Sequence, residues 1–365
     1  MPSGKPEKLY RIAVLPGDGI GPEVVQQAVK VVETIGEVYG HKFDFAYGLI
    51  GGAAVDETGS PLPEETLKLC QESDAILLGA VGGPKWDGLP PEQRPEKALL
   101  SIRKILNLFA NLRPVKIYHP LASCPLKDEI AQRGIDIMFV RQLTGGIYFG
   151  EKQTTIRGDQ VVAMDVMEYS KEEIEDIARI AFETALKRRK KVTSVDKANV
   201  LETSRLWRKT VEEVGKKYPQ VELEHMLVDS CAMQLITRPY QFDVVLTGNM
   251  FGDILSDEGS VLSGSIGMMP SVSFGSQHSA LYEPVHGSAP DIAGQNKANP
   301  LAAIISAAMM LKLSLHLEEE GAIIEDKIKK VLAKGYRTPD IMEPGKTRVG
   351  TQEMGQLIIN EILKG

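Results

Sequence analysis

Three cysteines in 365 residues, Cys70, Cys124 and Cys231, are too few and too widely spaced for a disulfide framework, and no CxxC pair offers a structural zinc site. A reducing, cytoplasmic setting is the expectation. Long apolar runs are missing too: Leu301 to Leu311 is broken by Ser306 and stops at Lys312, short of the roughly 20 residues that cross a bilayer. It reads as a buried helix, with a subunit contact as one use. Met1 to Leu9 lacks the apolar core of a secretory signal and is expected as a short frayed lead-in. Basic charge is in deficit, with 42 Lys and Arg against 49 Asp and Glu. The resulting net charge of -7 argues against a general affinity for nucleic acid or anionic membrane. Repeats, low-complexity tracts and a Pro, Gly or Ser-rich linker are absent.

Two nucleotide signatures also fail. Leu15 to Glu23 (LPGDGIGPE) follows a strand and opens a helix, but GxGxxG needs glycine where Pro22 stands, and no GKS or GKT ending follows. The segment is read as a strand-to-helix turn with Pro22 near the first helical position, so no Rossmann pyrophosphate site is expected there.

What the chain does contain is short β-rich runs alternating with longer amphipathic stretches. The runs are Arg11 to Leu15, Ala75 to Leu78, Ile135 to Val140, Val192 to Val195, Leu223 to Val228 and Asp243 to Leu246. That alternation predicts an α/β fold with a largely parallel sheet, in which ligands collect at the carboxyl ends of strands. Those ends run into Arg141, into Asp196 and Lys197, into Asp229, and into Asn249 and Asp253. Four charged ends in succession suggest one polar site. Gly150 to Tyr169 breaks the pattern, with Gly158-Asp159 as a turn, and predicts a hairpin that projects as an arm.

Asp253 and Asp257 are four apart on a predicted helix, which puts both carboxylates on one face with Cβ atoms about 6 Å apart. Either water solvates them or a hard divalent ion, Mg²⁺ or Mn²⁺, lies between them. Residues 96–106 have Leu99, Ile102 and Leu106 at core spacing, with Arg103 one turn beyond Leu99. Such a helix can grip a ligand that is part alkyl and part carboxylate, or merely let an arginine snorkel. Arg113 lies in a strand-like run, where a buried charge needs an anionic partner. Together Arg103, Arg113 and Arg141 suit a small-molecule substrate with two carboxylates. Tyr148 and Lys197 are ordinary alone, but beside a metal they are the proton donor and tunable amine that proton transfer at a carbon acid needs. Glu283 to Pro300 is a long loop of low apolar content, a length that usually signals function. In it, His286 offers a ring for stacking and Asp291 acceptors for a diol.

The order of these residues over nearly the whole chain resembles the β-decarboxylating dehydrogenases of the isocitrate and isopropylmalate type. The resemblance implies a two-domain α/β/α fold that is not a Rossmann fold, with a shared, mostly parallel sheet and a discontinuous first domain. The expected boundaries are 1–108 plus 264–365 for the domain carrying most of the cofactor site, and 109–263 for the second, with the site in the cleft between them. It further implies Asp229, Asp253 and Asp257 as metal ligands, with Asp229 also beside the substrate. Arg103, Arg113 and Arg141 hold the two malate carboxylates, and Tyr148 and Lys197 are the proton-transfer pair. NAD is expected against Gly83, Lys85, Trp86 and Glu96 in one loop and His286, Gly287, Ser288, Ala289, Pro290, Asp291, Ile292 and Asn299 in another. A homodimer is implied, interlocked by the arm, with Lys197 and Asp229 reaching the other subunit's site.

Two departures within the family point to a substrate. Isocitrate-using relatives place Ser and Asn where this chain has Lys97 and Leu99. An isopropyl group against Leu99, with Leu100 and Val200, gains roughly 1 to 3 kcal/mol over its competitor. NADP users carry Lys-Tyr at Asp291-Ile292, and a carboxylate there repels a 2′-phosphate. The implied reaction is oxidative decarboxylation of (2R,3S)-3-isopropylmalate in leucine biosynthesis. The alternatives are a D-malate or tartrate dehydrogenase of the same family, or a metal-dependent hydrolase.

Overall fold

Runs of aliphatic residues without alternation become inner parallel strands, because helices cover both of their faces. In the computed structural model, which describes residues 8–117, 126–275 and 280–365, this happens in each of two units. The first unit holds described residues 8–107, 263–275 and 280–365, and the second holds 108–117 and 126–262. The expected lead-in falls mostly on residues 1–7, which lie outside the described residues, as does Cys124. Cys70 and Cys231 are buried and free.

In the first unit the strand order is Lys42–Tyr47, Leu9–Gly17, Ala75–Ala80, Leu281–Pro284, Pro270–Phe274. All neighbours are parallel except the last pair, which is antiparallel with Pro270 opposite Pro284. Every residue of Ala75–Ala80 is buried. The helix Gly21–Tyr39 starts with proline in its first turn, as the sequence predicts. The helix Leu301–Leu313 is buried at every position from Leu301 to Leu311 within its own chain. The expected buried helix is thus found, and its apolar surface is covered by helices of the same unit, among them Gly21–Tyr39 and Glu318–Ala333.

In the second unit the order is Ala110–Lys116, Asp136–Gln142, Val244–Thr247, Lys191–Asp196, Glu222–Leu227. The first pair is antiparallel and the other three pairings are parallel. Here two sequence boundaries move. Arg141 lies inside its strand rather than after it, and the last strand ends at Leu227, so that Asp229 falls in the first turn of the helix Val228–Thr237. The hairpin forms as Lys152–Arg157 against Gln160–Asp165, ending short of Tyr169. Gly158 at its turn has a φ of 61°, and Ile156 and Val161 are 78% and 74% exposed. No helix among the described residues is long and apolar enough to cross a membrane.

Candidate active site

Register brings the polar strand ends of the second unit into one row. Thr247 pairs with Arg141 on one side and Val195 on the other, and Asp196 pairs with Leu227. Because these four strands run parallel, Arg141, Asp196 with Lys197, the start of the helix Asn249–Leu262, and Asp229 all emerge on the same side.

On that side Arg113, Arg141, Tyr148, Asp253 and Asp257 meet. Arg141, buried, donates from Nη1 to Asp253 Oδ1 at 2.6 Å and from Nη2 to Asn249 Oδ1 at 2.7 Å. Arg113, also buried, donates from Nε to Asn111 Oδ1 at 2.8 Å and from Nη1 to Ser256 Oγ at 2.8 Å and Asp257 Oδ1 at 3.2 Å. Its Nη2 lies 3.4 Å from Asp253 Oδ1. Spacing four apart on one helix therefore does face both acids to the arginines. Tyr148 ends a short turn, Gly146–Tyr148, and its hydroxyl donates to Asp253 Oδ2 at 3.0 Å. Burial, then the adjacent Asp253 charge, pushes the phenol up, which keeps it protonated at neutral pH. Burial also raises the Asp257 carboxyl, opposed by Arg113 and reinforced by Asp253.

Lys197 and Asp229 form a separate pair. Lys197 follows its strand, its N–H donates to Ser204 Oγ at 3.1 Å, and its ammonium donates to Asp229 Oδ1. That bond pulls the Asp229 carboxyl below its usual value. Asp253 and Asp257 supply the hard oxygen donors that suit Mg²⁺ or Mn²⁺. No group of three His, Cys, Asp or Glu side chains able to hold a metal occurs among the described residues of the single chain.

In the first unit, Leu99 lies half-buried on the helix Pro95–Ile105, while Arg103 is buried. Arg103 does not snorkel: its Nη2 donates to Glu283 Oε1 at 2.8 Å, and both side chains are about nine-tenths buried. The LPGDGIGPE turn contains a residue the sequence reading passed over. Asp18, buried, accepts at Oδ2 from the N–H groups of Gly52 (2.8 Å) and Gly82 (2.7 Å), and at Oδ1 from Ala53 (2.7 Å). Two residues on, Ile20 N–H donates to Ser288 O at 2.8 Å. Gly19 has a φ of 57° and a Cβ there would lie 2.0 Å from Ser288 O, so only glycine lets the turn approach that loop.

Of the expected cofactor residues, Gly82 and Gly83 carry φ of 104° and 156°, and Glu96 Oε1 reaches to within 2.6 Å of where a Gly82 Cβ would stand. Lys85 and Trp86 give their polar atoms to Asp56, at 2.6 and 3.1 Å. They brace the loop on the helix Gly51–Thr58. The buried amide of Asn299 donates to Asp340 Oδ2 at 3.0 Å and its oxygen accepts from Leu301 N–H at 3.0 Å. His286 is buried, with Nδ1 2.9 Å from Gly287 O and no partner at Nε2, and burial lowers its pKa so that the ring is neutral at pH 7. Gly287, Pro290 and Asp291 are exposed, Ala289 has a φ of 37°, and Ile292 N–H closes the turn onto Ala289 O at 3.1 Å. An orphaned ring nitrogen and, five residues on in the same loop, an exposed carboxylate fit a ligand that is both heteroaromatic and a diol, as a dinucleotide is.

Known proteins match nearly the whole chain. The family model described as isocitrate/isopropylmalate dehydrogenase matches residues 11–358. The chain is 61% identical over 360 residues to a 3-isopropylmalate dehydrogenase of Carboxydothermus hydrogenoformans, covering 98% of this chain and 96% of that protein. It is 58% identical to the protein of the same name from Aquifex aeolicus, covering 97% and 98%. Among solved structures, an isocitrate dehydrogenase from Methylococcus capsulatus superposes with a TM-score of 0.86 at 34% identity, covering 97% of this chain and 99% of that one.

Proposed function

We infer the activity from one premise: the chain belongs to the isocitrate/isopropylmalate dehydrogenase family. It is an oxidoreductase of that family, and its proposed reaction is the NAD-dependent oxidative decarboxylation of (2R,3S)-3-isopropylmalate to 4-methyl-2-oxopentanoate, a step of leucine biosynthesis in the cytoplasm. The observation that carries the reading is the meeting of Arg113 and Arg141 with Tyr148, Asp253 and Asp257. Two cations, a protonated phenol and two hard oxygen donors are what a diacid that loses CO₂ requires.

Arg113 and Arg141 bind and orient the malate carboxylates, and Arg103 is assigned the same task. Leu99, half-buried and aliphatic, is assigned the isopropyl group. Asp253 and Asp257, with the partner subunit's Asp229 as third ligand, would hold a divalent ion, which would supply Lewis acidity to the reaction. The pairing of Asp229 with Lys197 rather than with the other two acids supports a homodimer in which both residues serve the second copy. Gly83, Lys85, Trp86, Glu96, the stretch from His286 to Ile292 and Asn299 would hold NAD, which would supply the hydride acceptor. Asp291 accepts from the ribose diol and repels a 2′-phosphate.

Lys197, in its neutral amine form, takes the proton of the C2 hydroxyl directly or through water. Departure of the β-carboxylate as CO₂ leaves a carbon that must be protonated, and Tyr148 is the donor, since burial and Asp253 keep its proton in place. The test is Tyr148→Phe, assayed on the whole substrate and on the separately supplied oxidised intermediate. The decarboxylation and protonation half should slow by about 10² or more, with hydride transfer largely spared. Equal loss in both halves contradicts the role.

A further inference from the structure

We propose that Asn249 is the positioning residue that aims Arg141 at a substrate carboxylate without neutralising it, a role that rests on the assignment of Arg141 made above. Asn249 opens the helix Asn249–Leu262 and is 1% exposed. Its Oδ1 accepts from Arg141 Nη2 at 2.7 Å and from Nε at 3.1 Å, and its backbone carbonyl accepts from the same Nε at 3.0 Å. Its Nδ2 donates to the carbonyls of Leu143 at 2.9 Å and Gly145 at 3.1 Å. Its own N–H donates to the Tyr169 hydroxyl at 2.8 Å. Both amide hydrogens and both lone pairs of Oδ1 are therefore engaged.

The chemistry of the amide decides what this clamp does. A neutral acceptor fixes the guanidinium plane without adding negative charge to it, whereas Nη1 reaches the carboxylate of Asp253. An aspartate at 249 has nearly the same shape. It would place a second negative charge on Arg141 and set a bare oxygen against the carbonyls of Leu143 and Gly145, where no proton is available to share. Those carbonyls belong to the turn that leads into Tyr148, so the one amide ties the carboxylate-binding cation to the segment bearing the proton donor. The clamp also needs the helix close. At Gly252 a Cβ would lie 2.7 Å from Arg141 Cγ, and glycine removes that clash.

The experiment compares Asn249→Asp, Asn249→Ala and Arg141→Lys with the full-length wild type, using isopropylmalate, NAD and Mg²⁺. Asn249→Asp should raise KM for the diacid at least tenfold and by more than Asn249→Ala does, with KM for NAD held within twofold in both. A residue that merely supports the fold would lower Tm and kcat together and move neither KM. A folded Asn249→Asp enzyme with unchanged diacid KM overturns the proposal if Arg141→Lys does raise that KM. Should Arg141→Lys leave it unchanged as well, the assignment of Arg141 falls and the clamp with it. If Asn249→Asp does not fold, Asn249→Ala decides alone: an unchanged diacid KM overturns the role and a selective rise sustains it.

Discussion

Replacing Asp18 by alanine should be among the most damaging single changes in the first unit, although Asp18 belongs to no charge pair among the described residues. Its carboxylate is the acceptor for three backbone N–H groups, those of Gly52, Ala53 and Gly82. At 4% exposure of Asp18, water has little access to replace it. A hydrogen bond to a charged group contributes about 1.5–3 kcal/mol net, so the lower figure for all three brings the loss to about 4–5 kcal/mol. That is comparable with the whole stability of many domains, about 5–15 kcal/mol. Asp18→Asn keeps one acceptor oxygen and should lose about half as much. Urea unfolding at constant m-value gives the size of the effect, and amide hydrogen exchange at Gly52, Ala53 and Gly82 locates it. Since Gly82 begins the loop assigned to NAD, a surviving variant should also show a raised KM for NAD. A loss below about 1 kcal/mol for Asp18→Ala, with those amides still protected, would refute the reasoning.

Glu283→Gln should lower stability by about 3–5 kcal/mol, because it leaves the buried Arg103 guanidinium without its anion; equal denaturation midpoints would contradict this. Asp257→Asn should melt higher than wild type at pH 7, since the raised carboxyl pKa means that the folded state resists ionisation there. The advantage should vanish below about pH 3.9, where the acid is protonated in both states, and the same variant should lose its response to Mg²⁺. A lower melting temperature at pH 7 would reverse the sign of the argument. His286 has the opposite dependence: a ring held neutral by burial contributes stability above the unfolded value of about 6.5 that is lost as pH falls below it. Stability measured between pH 7.5 and 5.5 should therefore fall less steeply for His286→Asn, and parallel slopes would count against it.

The α/β class was legible because parallel strands buried on both faces have to be aliphatic and their helices amphipathic, and both patterns are written locally. The acidic pair was legible for the same reason: Asp253 and Asp257 lie on one helix face whatever surrounds them. Arg113 was marked as a cation needing an anion, but not as one facing those two acids. The supporting residues escaped because their partners are remote in sequence and often backbone. Asp18 binds N–H groups 34, 35 and 64 residues away, which leave no trace in side-chain spacing. Glu283 lies 180 residues from Arg103. A carboxyl set among the glycines of a strand-to-helix turn was the one local signal for Asp18, since exposed backbone N–H groups at such turns attract an acceptor. The hydrogen bonds of Lys85, Trp86 and Asn299 to Asp56 and Asp340 are hidden for the same reason, with partners 29, 30 and 41 residues away.

The most direct test of the central claim is NADH formation, followed by absorbance with Mg²⁺ present, on isopropylmalate, malate, tartrate and isocitrate in parallel. The account predicts kcat/KM greatest for isopropylmalate, by about tenfold or more over malate from the alkyl contact at Leu99, with activity abolished by a chelator. A preference for isocitrate or malate, or NADH formation that survives removal of the divalent ion, would contradict it.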